Sequence, residues 1–454
     1  MDAIAKIPTY EAYTDSDNDY SGKVPIDWGL VPIRAIFEER NEKNDGPVTE
    51  HILSVTRDRG VIPYDEKGAI GNNKSEDIER YKLVYENDLV INKMNVVIGS
   101  LGLSKYFGAL SQVYIVLRPK SNRFSIRYYA YMFHNEPFYK SLIRYCTGIM
   151  ELRESLNKDQ FKQLYLPFPS LEEQTLIANF LDKQTTKIDE AIAIKEQQIA
   201  LLKERKQIII QKAVTQGLDP NAPMKDSGVD WIGEMPAHWE VKKLKYMVRF
   251  YGGGTPSKDN KDYWGGDISW VSPKDMKMPF ISSSIDTITE LAVKKSSVKL
   301  IEEGAILIVV RGMILAKKIP VAIATKKLTI NQDMKALVVS DGSLPVFLMC
   351  LLDGLHETLS TLLEESGHGT KTLPTEKLGS LNLPIPPFRE QEKIVNFIED
   401  QTVFFERSIE IQKEQIEKLK EYKTTLINSA VTGKIKVTPE MVGLECNSQD
   451  AVEA

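Results

Sequence analysis

Four loops of this 454-residue chain are rich in side chains that can hydrogen-bond nucleic-acid bases or phosphates. Arginine and lysine suit guanine edges and phosphates, whereas asparagine and glutamine suit adenine edges. The loops are residues 54–60 (SVTRDRG), 102–112 (GLSKYFGALSQ), 252–260 (GGGTPSKDN) and 329–335 (TINQDMK). Each of them could equally be a polar turn on a globular domain, so a single loop leaves both interpretations open.

The sequence has no residue pattern typical of an active site. The GGGTPSK stretch lacks the Gly-Lys-Ser/Thr end of a phosphate-binding loop, and residues 366–372 (SGHGTKT) fail that pattern too. At residues 385–388 (IPPF), Ile385 stands where the amino-methyltransferase motif needs Asp, Asn or Ser. The five histidines lack metal-ligand spacing, and the three cysteines form no CxxC pair. The sequence therefore favours recognition, and predicts no catalytic residue and no metal site.

The composition is that of a globular protein of two or three domains, with 42% hydrophobic and 27% charged residues. The longest apolar runs, such as residues 305–310 (AILIVV), are too short to span a bilayer. The first twenty residues lack the basic start and apolar stretch of a signal peptide. We therefore expect a cytoplasmic protein without a membrane partner.

The net charge of −5 is unevenly distributed along the chain. Residues 29–165 and 240–382 each carry a net charge of +3, and the remaining residues carry −11. Two mildly basic segments on an acidic frame permit a local nucleic-acid-binding face without requiring one.

The chain contains a tandem duplication. Residues 166–215 and 383–432 align without gaps and are identical at 22 of 50 positions. A second match pairs residues 15–28 (DSDNDYSGKVPIDW) with 226–239 (DSGVDWIGEMPAHW). The segments that follow each leader do not align convincingly, so the duplication kept its frame while its two inserts diverged.

The two repeated segments have the properties of long helices. Each runs about 40 residues without an internal Pro or Gly, and Gly217 and Gly433 stand where a left-handed C-cap needs glycine. Ser170 to Glu173 has the sequence of a capping box. Apolar residues recur at spacings of three and four, which predicts a coiled-coil seam, although core helices of a larger domain would share this pattern. The predicted seam residues are Ile188, Ile192, Ile199, Leu202 and Ile209, and Phe405, Ile409, Ile416, Leu419 and Leu426.

These patterns predict an α+β fold with two mixed, strand-rich globular domains joined by two long antiparallel coiled-coil helices. Strands are expected within residues 88–100, 113–119, 304–315 and 335–340. Near-identical helical seams make the helices self-complementary, so we expect pseudo-two-fold symmetry. The predicted boundaries are a leader at 1–28, a first globular domain at 29–165, a first helical segment at 166–218, a repeated leader at 219–239, a second globular domain at 240–382, a second helical segment at 383–435, and an acidic tail, expected to be disordered, at 436–454.

These repeated motifs resemble the specificity subunits of type I restriction–modification systems. The resemblance covers nearly the whole chain. It rests on the doubled helix start (LPFPSLEEQTLIANFLD and LPIPPFREQEKIVNFIE) and on the leader DSGVDWIGEMPAHWEVKKLK. In the second half GGTPSKDNKDYWGGDISWV, VVRG and NQDMKAL also match, and in the first half so does ENDLVINKMNVVIGSLGLSKYFGALSQVYIVLRP.

The resemblance implies a non-catalytic, sequence-specific DNA-binding subunit. Each globular domain would be a target-recognition domain that reads one half of a bipartite, asymmetric DNA sequence, and the paired helices would set the spacer. The implied partners are double-stranded DNA, two methyltransferase subunits, and restriction and translocase subunits. The chain itself would need no cofactor; S-adenosylmethionine, ATP and Mg would be used by the partner subunits, which methylate adenine and cleave DNA.

Residues within the matching motifs are the expected DNA contacts. In the first domain these are Arg57, Arg59, Asn92, Lys93, Lys105, Tyr106 and Gln112. In the second domain they are Thr255, Ser257, Lys258, Trp270, Arg311, Asn331, Gln332 and Lys335. Trp270 and Tyr106 could instead belong to the core, as aromatic residues usually do. The repeated Glu-Gln pairs, at 173–174 and 390–391, are expected to be structural or docking elements.

Two other readings stay open from the residues. A two-lobed protein-interaction scaffold would have the same helices but no sequence-specific DNA binding. An enzyme with an unrecognised site would turn over substrate without partners. The divergence of two basic inserts inside a kept frame favours the DNA-recognition subunit.

Overall fold

The structure is a computed structural model that describes residues 4–16, 18, 20–57, 59–68, 75, 77–147, 155–365 and 369–443. Two helices far exceed the others in length. In chain order the helices are α1 (Ile33–Ile36), α2 (Ile126–His134), α3 (Glu136–Ser141), α4 (Lys158–Lys162), α5 (Leu171–Gln216), α6 (Glu290–Lys295), α7 (Pro345–Gly354), α8 (His356–Thr361), α9 (Thr375–Gly379), α10 (Phe388–Val431) and α11 (Pro439–Val442). None of these helices is both long enough and apolar enough to cross a membrane.

The chain forms two compact units, and the division cuts through both long helices. The first unit comprises residues 1–195 and 413–454, and the second comprises residues 196–412. Each unit therefore contains one globular domain, the beginning of one long helix and the end of the other. The predicted boundaries, in contrast, give each long helix a segment of its own.

The first unit is built around a four-stranded antiparallel sheet in the order β4 (Phe37–Glu39), β11 (Tyr114–Pro119), β8 (Leu89–Asn92) and β9 (Leu101–Leu103). Its strands are β1 (Tyr13–Asp15), β2 (Lys23–Pro25), β3 (Gly29–Pro32), β4 (Phe37–Glu39), β5 (Leu53–Thr56), β6 (Gly60–Pro63), β7 (Lys82–Val84), β8 (Leu89–Asn92), β9 (Leu101–Leu103), β10 (Gly108–Leu110), β11 (Tyr114–Pro119), β12 (Cys146–Thr147), β13 (Ser155–Leu156) and β14 (Tyr165–Phe168). Leu89 and Ile91 pack with α2 and α3 on one face, whereas Val90 packs with β5 and β6 on the other. Because side chains alternate along a strand, the continuous apolar run of β8 supplies both cores.

The second unit contains a five-stranded sheet in the order β18 (Val248–Gly252), β26 (Met334–Val339), β22 (Ile306–Val309), β24 (Val321–Ala324) and β20 (Phe280–Ile281), in which only the β20–β24 pair is parallel. Its strands are β15 (Met224–Asp226), β16 (Glu234–Pro236), β17 (Glu240–Lys243), β18 (Val248–Gly252), β19 (Trp264–Val271), β20 (Phe280–Ile281), β21 (Thr287–Ile288), β22 (Ile306–Val309), β23 (Arg311–Gly312), β24 (Val321–Ala324), β25 (Thr329–Ile330), β26 (Met334–Val339), β27 (Glu364–Glu365), β28 (Lys371–Thr372) and β29 (Asn382–Ile385). All four residues of β22 are buried against α7 and its neighbours. The strands predicted at 113–119 and 335–340 are confirmed as β11 and β26.

The two long helices run antiparallel within each unit. In the first unit Lys423 donates to both carboxylate oxygens of Asp189 at 2.7 Å, and Lys195 donates to Gln415. In the second unit Lys206 lies 3.1 Å from Glu406, and Ile210 further along α5 shares a core cluster with Ile398 and Ile394 earlier on α10. Partner numbers on α10 fall as numbers on α5 rise, which only an antiparallel pair produces. The ten predicted seam residues are buried or half-buried, so the coiled-coil prediction is confirmed.

The proline-rich segment before each long helix is a strand, which the sequence did not reveal. In the first unit β14 pairs with β3, which directly follows Trp28 of the leader. In the second unit β29 pairs in the same way with β17, which follows Trp239. Each leader is thereby tied to the start of the long helix that lies in its own unit.

The repeated glutamine is a structural residue in both copies. Gln174 is fully buried; its amide donates to the Pro169 carbonyl at 2.9 Å, and its carbonyl accepts from the Ser125 backbone N–H at 2.8 Å. Gln391 makes the equivalent hydrogen bonds: its amide donates to the Pro386 carbonyl at 3.0 Å, and its carbonyl accepts from the Leu344 backbone N–H at 2.8 Å. Ser125 and Leu344 precede α2 and α7. The glutamine thus joins the start of each long helix to a helix of the neighbouring globular domain.

The repeated glutamate has different partners in the two copies. The Ser170 hydroxyl accepts from the Glu173 N–H at 3.2 Å, which is the first half of the predicted capping box. The Glu173 carboxylate, however, accepts from Trp28 Nε1 at 3.0 Å and from the Tyr10 hydroxyl of the leader. The second half of the capping-box prediction is therefore wrong, because the Glu173 carboxylate accepts from Trp28 and Tyr10 of the leader and not from the Ser170 N–H.

In the second copy His238 lies 2.7 Å from the Glu390 carboxylate. Trp239 is fully buried, and its Nε1 has no hydrogen-bond partner among the described residues. This tryptophan occupies the leader position of Trp28, so the tryptophan-to-glutamate hydrogen bond of the first copy has no counterpart at Trp239.

We expect Trp28→Phe to lower the free energy of unfolding by about 1–2 kcal/mol more than Trp239→Phe. Both changes remove the same volume from a buried site, but only the first leaves a carboxylate short of a donor. Differential scanning calorimetry of the two variants measures the difference. Equal losses of stability would show that the Trp28–Glu173 hydrogen bond contributes nothing.

The chain does not become disordered at residue 436 as predicted. The Lys436 N–H donates to the Pro8 carbonyl at 2.7 Å, Val437 is buried, and α11 follows. An added Cβ at Gly433 would lie 2.4 Å from Pro25, so the helix end and the leader approach closely in the first unit. The prediction is therefore wrong for residues 436–443, whereas residues 444–454 lie outside the described part of the chain.

A buried cluster of charges joins three elements of the first unit. Glu39 at the end of β4 accepts from Lys82 and Lys162 at 3.0 Å each, and from Lys158. The side chains of Glu39 and Lys82 are only 7% and 10% exposed. Burial by itself would raise the pKa of Glu39, but the hydrogen bonds from three lysines outweigh it and hold the pKa at about 2.

We expect the stability of the first unit to fall in acid because of this cluster. The pKa of Glu39 is about 2 in the folded chain and near 4.5 when unperturbed, so its contribution is complete above pH 4.5. The contribution is lost as the pH falls from 4.5 toward 2. Urea unfolding curves at a series of pH values measure this loss, and Glu39→Gln should flatten the dependence in that window. An unchanged slope in Glu39→Gln would contradict the assignment.

Candidate nucleic-acid interface

A glycine-rich loop in the second unit is held in one shape by close packing. The loop follows β18, and an added Cβ at Gly253 would lie 1.8 Å from the Asn331 carbonyl oxygen. The neighbouring Gly254 is buried, and an added Cβ there would lie 3.1 Å from the Ser297 carbonyl oxygen. Glycine at 253 therefore permits the loop to lie directly against the turn at 331–333. The glycines of the GGGTPSK stretch are thus explained by this close approach of two backbone segments and not by a phosphate-binding loop.

Two tryptophans of β19 fix the same loop from its other side. Trp270 Nε1 donates to the Gly254 carbonyl at 2.9 Å, and Trp264 Nε1 donates to the Ser257 carbonyl at 3.1 Å. Their rings meet edge to face with centroids 5.2 Å apart. The loop backbone is thus anchored at two carbonyls, which presents the side chains of residues 255–258 on a rigid base.

The loop and the turn bring several predicted residues together. Thr255 hydrogen-bonds Gln332, and the Lys335 ammonium lies near Gly252 at the start of the loop. The Arg311 backbone N–H donates to the Asp333 carbonyl at 3.2 Å, which places β23 beside this turn. Ser257, Lys258, Arg311 and Gln332 are exposed. This arrangement offers hydroxyl, amide, ammonium and guanidinium groups on one surface.

Two predicted contact residues of the second unit are instead structural. Trp270 is 7% exposed and Asn331 is 5% exposed. The Asn331 side chain accepts from the Asp333 N–H at 3.1 Å and donates to the Asp333 carboxylate, so it shapes the turn that carries Gln332. Neither side chain has surface left to contact a ligand, because their polar atoms are used inside the unit.

An open cavity of about 470 Å³ lies beside the loop. Its lining residues are Lys258, Trp264, Trp270, Ser272, Lys274 and Asp286. Lys274 donates to Asp286 at 2.7 Å, and this hydrogen bond raises the pKa of Lys274. Sequence reasoning missed Trp264, Lys274 and Asp286. The aromatic spacing within WGGDISW was the available signal, but no local pattern relates Lys274 to Asp286.

In the first unit the predicted residues are distributed more widely. Arg57 and Arg59 lie in the turn between β5 and β6, and Arg59 forms an exposed ion pair with Glu66 at 3.4 Å. Gly60 and Gly102 approach closely, which brings this turn beside β9 and the 103–107 loop. Lys105 in that loop is exposed, and Tyr106 packs edge to face on His51. The arginine turn and the 103–107 loop therefore form one polar surface.

The other predicted residues of the first unit lie outside this polar surface. Asn92 is buried and accepts from the Met94 N–H at 3.1 Å, so it caps the turn after β8. The Lys93 carbonyl accepts from the Leu156 N–H, and the lysine side chain is half-buried. Gln112 is exposed and donates to the Arg80 carbonyl at 2.8 Å. Direct contact by Asn92 is not supported, because its side chain is used inside the domain.

Each unit thus carries a polar surface beside its part of the duplicated helical frame, and the two surfaces differ in their residues. Among the described residues, no group of three or more His, Cys, Asp or Glu side chains could hold a metal ion. The exposed groups are hydrogen-bond donors and acceptors together with several cations. Such groups suit a nucleic acid, which has anionic phosphates and base edges that differ in their hydrogen-bonding groups.

Sequence comparison identifies the family. The family described as "Type I restriction modification DNA specificity domain" matches residues 25–204 and again residues 236–421. The chain therefore belongs to the specificity subunits of type I restriction–modification systems, the non-catalytic component of those complexes.

Individual relatives agree with this assignment. The EcoR124I/EcoR124II specificity subunit of Escherichia coli is 31% identical over 278 residues, which are 58% of this chain and 63% of that protein. The putative MjaX specificity subunit of Methanocaldococcus jannaschii is 25% identical over 92% of this chain and 95% of that protein. The match thus spans less than two thirds of the first relative and nearly all of the second.

Solved structures share the fold. A chain from a type I R-M system, solved to explain complex assembly and conformational transition, superposes with a TM-score of 0.68 over 90% of this chain and 98% of its own length, at 13% identity. The HsdS subunit from Thermoanaerobacter tengcongensis superposes with a TM-score of 0.53 over 93% of this chain and all of its own length, at 14% identity. At these identities the likeness concerns the fold alone.

Proposed function

We propose that this chain recognises a bipartite, asymmetric DNA target and directs adenine methylation and restriction by partner subunits. Each globular domain reads one half-site, and the paired helices set the spacer between the halves. The partners are two methyltransferase subunits and the restriction and translocase subunits, which use S-adenosylmethionine, ATP and Mg. The observation that carries this proposal is that one duplicated frame presents two chemically unlike sets of exposed donors.

The unlike donor sets explain why the target would be asymmetric. The first unit offers two arginines on one turn, with Lys105 and Tyr106 beside them. The second unit offers Thr255 with Gln332, next to Lys258 and Arg311. Arginine favours guanine edges and glutamine favours adenine edges, so two such surfaces would select different bases.

Mapping of methylated adenines across a genome tests this function. A host that expresses the chain with its methyltransferase subunit is compared with a host that lacks only this chain. We expect a two-part asymmetric motif that is present in the first host and absent from the second. Identical methylation in both hosts would contradict the proposal and favour a two-lobed protein scaffold.

Salt dependence separates DNA recognition from a scaffold role. Phosphate contacts release counterions, so affinity for the mapped target should fall steeply as salt rises, by about 10³-fold or more between 50 and 200 mM for six or more contacts. Filter binding of the chain together with its methyltransferase subunits measures this slope. A scaffold without specific DNA binding would show weak affinity for the target and for a scrambled sequence alike.

A further inference from the structure

Each globular domain presents an exposed apolar turn. In the first unit residues 93–100 join β8 to β9, and in the second unit residues 310–320 lead from β22 through β23 to β24. We call these segments the first and second apolar turns. Two apolar side chains in each are at least 39% exposed: Met94 and Ile98 in the first turn, Met313 and Ile314 in the second. A single exposed apolar side chain is ordinary, but a pair that recurs on two domains points to a shared role.

The two turns occupy equivalent places in the two sheets, although the sequences of the domains do not align. β8 lies between β11 and β9, and β22 lies between β26 and β24, and all of these strand pairs are antiparallel. The last residue of β8 pairs with the first of β11, and the last of β22 pairs with the first of β26. Each apolar turn therefore emerges at the end of the sheet where β11 or β26 begins. The loops before those two strands carry exposed glutamines, Gln112 and Gln332.

Both turns are anchored from beneath. Val96 and Leu315 are buried, at 1% and 2% exposure, and hold the turns to the cores of their domains. In the second turn the Ile314 carbonyl accepts from the Lys317 N–H at 2.9 Å, and Gly312 has a φ of +139°, which residues with a side chain rarely adopt. The exposed methionines thus extend from backbone that is fixed in place.

Each turn lies beside the polar surface of its own unit. In the first unit the Ser100 hydroxyl donates to the Val55 carbonyl at 3.2 Å, two residues before Arg57. In the second unit Arg311, which is itself part of the apolar turn, donates its backbone N–H to the short turn that carries Gln332. The apolar turns are therefore continuous with the candidate nucleic-acid interface.

Cations surround the exposed apolar side chains. Neither residues 92–107 nor residues 310–320 contain an aspartate or a glutamate. The two segments contain five cations: Lys93, Lys105, Arg311, Lys317 and Lys318. Lys318 forms an ion pair with Asp353 at 3.1 Å, and the other four form none within the described part of the chain. A DNA duplex has the complementary chemistry, because apolar base faces lie between two rows of phosphates.

One apolar turn in each unit matches one methylated adenine in each half-site of the proposed target. A methyltransferase reaches its target base only when that base turns out of the duplex, which leaves a gap in the stack. Apolar side chains such as methionine and isoleucine stabilise opened base steps by inserting between the bases. Methionine suits an irregular gap, because its unbranched side chain adapts to the space.

We propose that Met94 and Met313 insert into the DNA duplex, each in the half-site read by its own domain, and fill the space left by the adenine that turns out toward the methyltransferase subunit. This proposal rests on the proposed function. The two methionines are positioning residues, since they contact the DNA stack and not the reacting atoms. Each of them stabilises the turned-out adenine of one half-site.

Fluorescence of 2-aminopurine at the position of the target adenine tests this, because this base fluoresces strongly once it leaves the stack. The chain is assembled with its methyltransferase subunits and bound to the mapped target. We expect Met313→Ala to reduce the gain in fluorescence about fivefold at the half-site read by the second domain only, and Met94→Ala to do so at the other half-site only.

Two further variants serve as controls. Met313→Leu keeps an apolar side chain of similar volume and should retain most of the fluorescence gain. Tyr246→Ala should retain all of it, because Tyr246 is 69% exposed in the same unit but precedes β18 at the opposite end of the sheet. Because Met313 is 78% exposed, we expect thermal unfolding of Met313→Ala to be unchanged.

A mispaired target separates insertion from an ordinary surface contact. A target adenine placed opposite a base that cannot pair with it needs less energy to turn out. Relative to the natural chain, Met313→Ala should bind the paired target about tenfold more weakly and the mispaired target less than about twofold more weakly.

Three results would overturn the proposal. The first is an unchanged fluorescence gain in Met313→Ala, and the second is an equal loss of affinity for paired and mispaired targets. The third is a Met313→Ala chain that no longer assembles with the methyltransferase subunits in native mass spectrometry, which would make a protein the occupant. Methylation mapping of the natural chain judges the proposed function separately. If the two-part motif is present and the methionine variants have no effect, only the insertion fails, whereas absence of the motif defeats both.

Discussion

Replacement of Gly253 by alanine is expected to lower affinity for the DNA target about 100-fold. An alanine Cβ would lie 1.8 Å from the Asn331 carbonyl oxygen, a distance that backbone atoms cannot tolerate. The loop at 252–258 must then move away from the turn at 331–333, which separates Thr255 from Gln332. Loss of a few oriented contacts to one half-site costs about 3 kcal/mol, which corresponds to that factor.

Gly379→Ala is the control for this substitution. Gly379 belongs to the same unit, and an added Cβ there would meet Lys245 and Phe250 only at ordinary contact distances of 3.4 Å and more. Filter binding of each variant, assembled with the methyltransferase subunits, to the mapped target and to targets altered in either half measures the effect. We expect Gly253→Ala to lose discrimination at the half-site read by the second domain and to keep it at the other. Retention of full affinity and discrimination would mean that this loop does not contact DNA.

Replacement of Glu39 by alanine is expected to destabilise the first unit by about 3 kcal/mol. The change leaves the Lys82 ammonium buried, with one hydrogen bond to the Tyr114 carbonyl at 3.2 Å as its remaining contact. Burial lowers the pKa of Lys82, which indicates how poorly that site solvates a charge. Removal of one partner from a buried ion pair typically costs 3–5 kcal/mol, and about a third of the Lys158 and Lys162 side chains is exposed, which reduces the loss.

Hydrogen exchange of the β7 amides measures this loss locally, without a global two-state assumption. The matched control is the double variant Glu39→Leu/Lys82→Met, in which both buried charges are replaced by apolar groups. We expect its loss of stability to be well below that of Glu39→Ala, because the buried Lys82 ammonium is removed together with its partner, and Lys158 and Lys162 are partly exposed. If the single and double variants open equally easily, an unpaired Lys82 charge is not the cause of the loss; if Glu39→Ala opens no more easily than the natural chain, the cluster is not a source of stability.

The sequence by itself determined the duplicated frame. Helix periodicity is a local property, so the seam from Ile188 to Ile209 and its copy from Phe405 to Leu426 could be read directly. The self-similarity of the seams also predicted an antiparallel pair. Strands such as β11 and β26 were visible because buried β-branched runs are local as well.

Contacts between distant segments could not be read from the sequence. The boundary between the units falls inside both long helices, because the end of α10 packs in the core of the first unit and the end of α5 in that of the second. For the same reason residues 436–443 are ordered: their partner is Pro8 at the other end of the chain. The role of Gln174 and Gln391 also depends on backbone groups about fifty residues away.

Residue type predicted which side chains belong to the candidate interface, and burial in the structure decided which of them are free to contact a ligand. Arg311, Gln332 and Lys258 are exposed beside one loop as the motif suggested, whereas Trp270 and Asn331 are buried beneath it. A motif records which residues a surface requires, but it does not separate those that contact a ligand from those that hold the contacting residues in place. That separation follows from which side of the loop backbone each side chain occupies, and only the packing of β19, the 252–258 loop and the 331–333 turn against one another determines it.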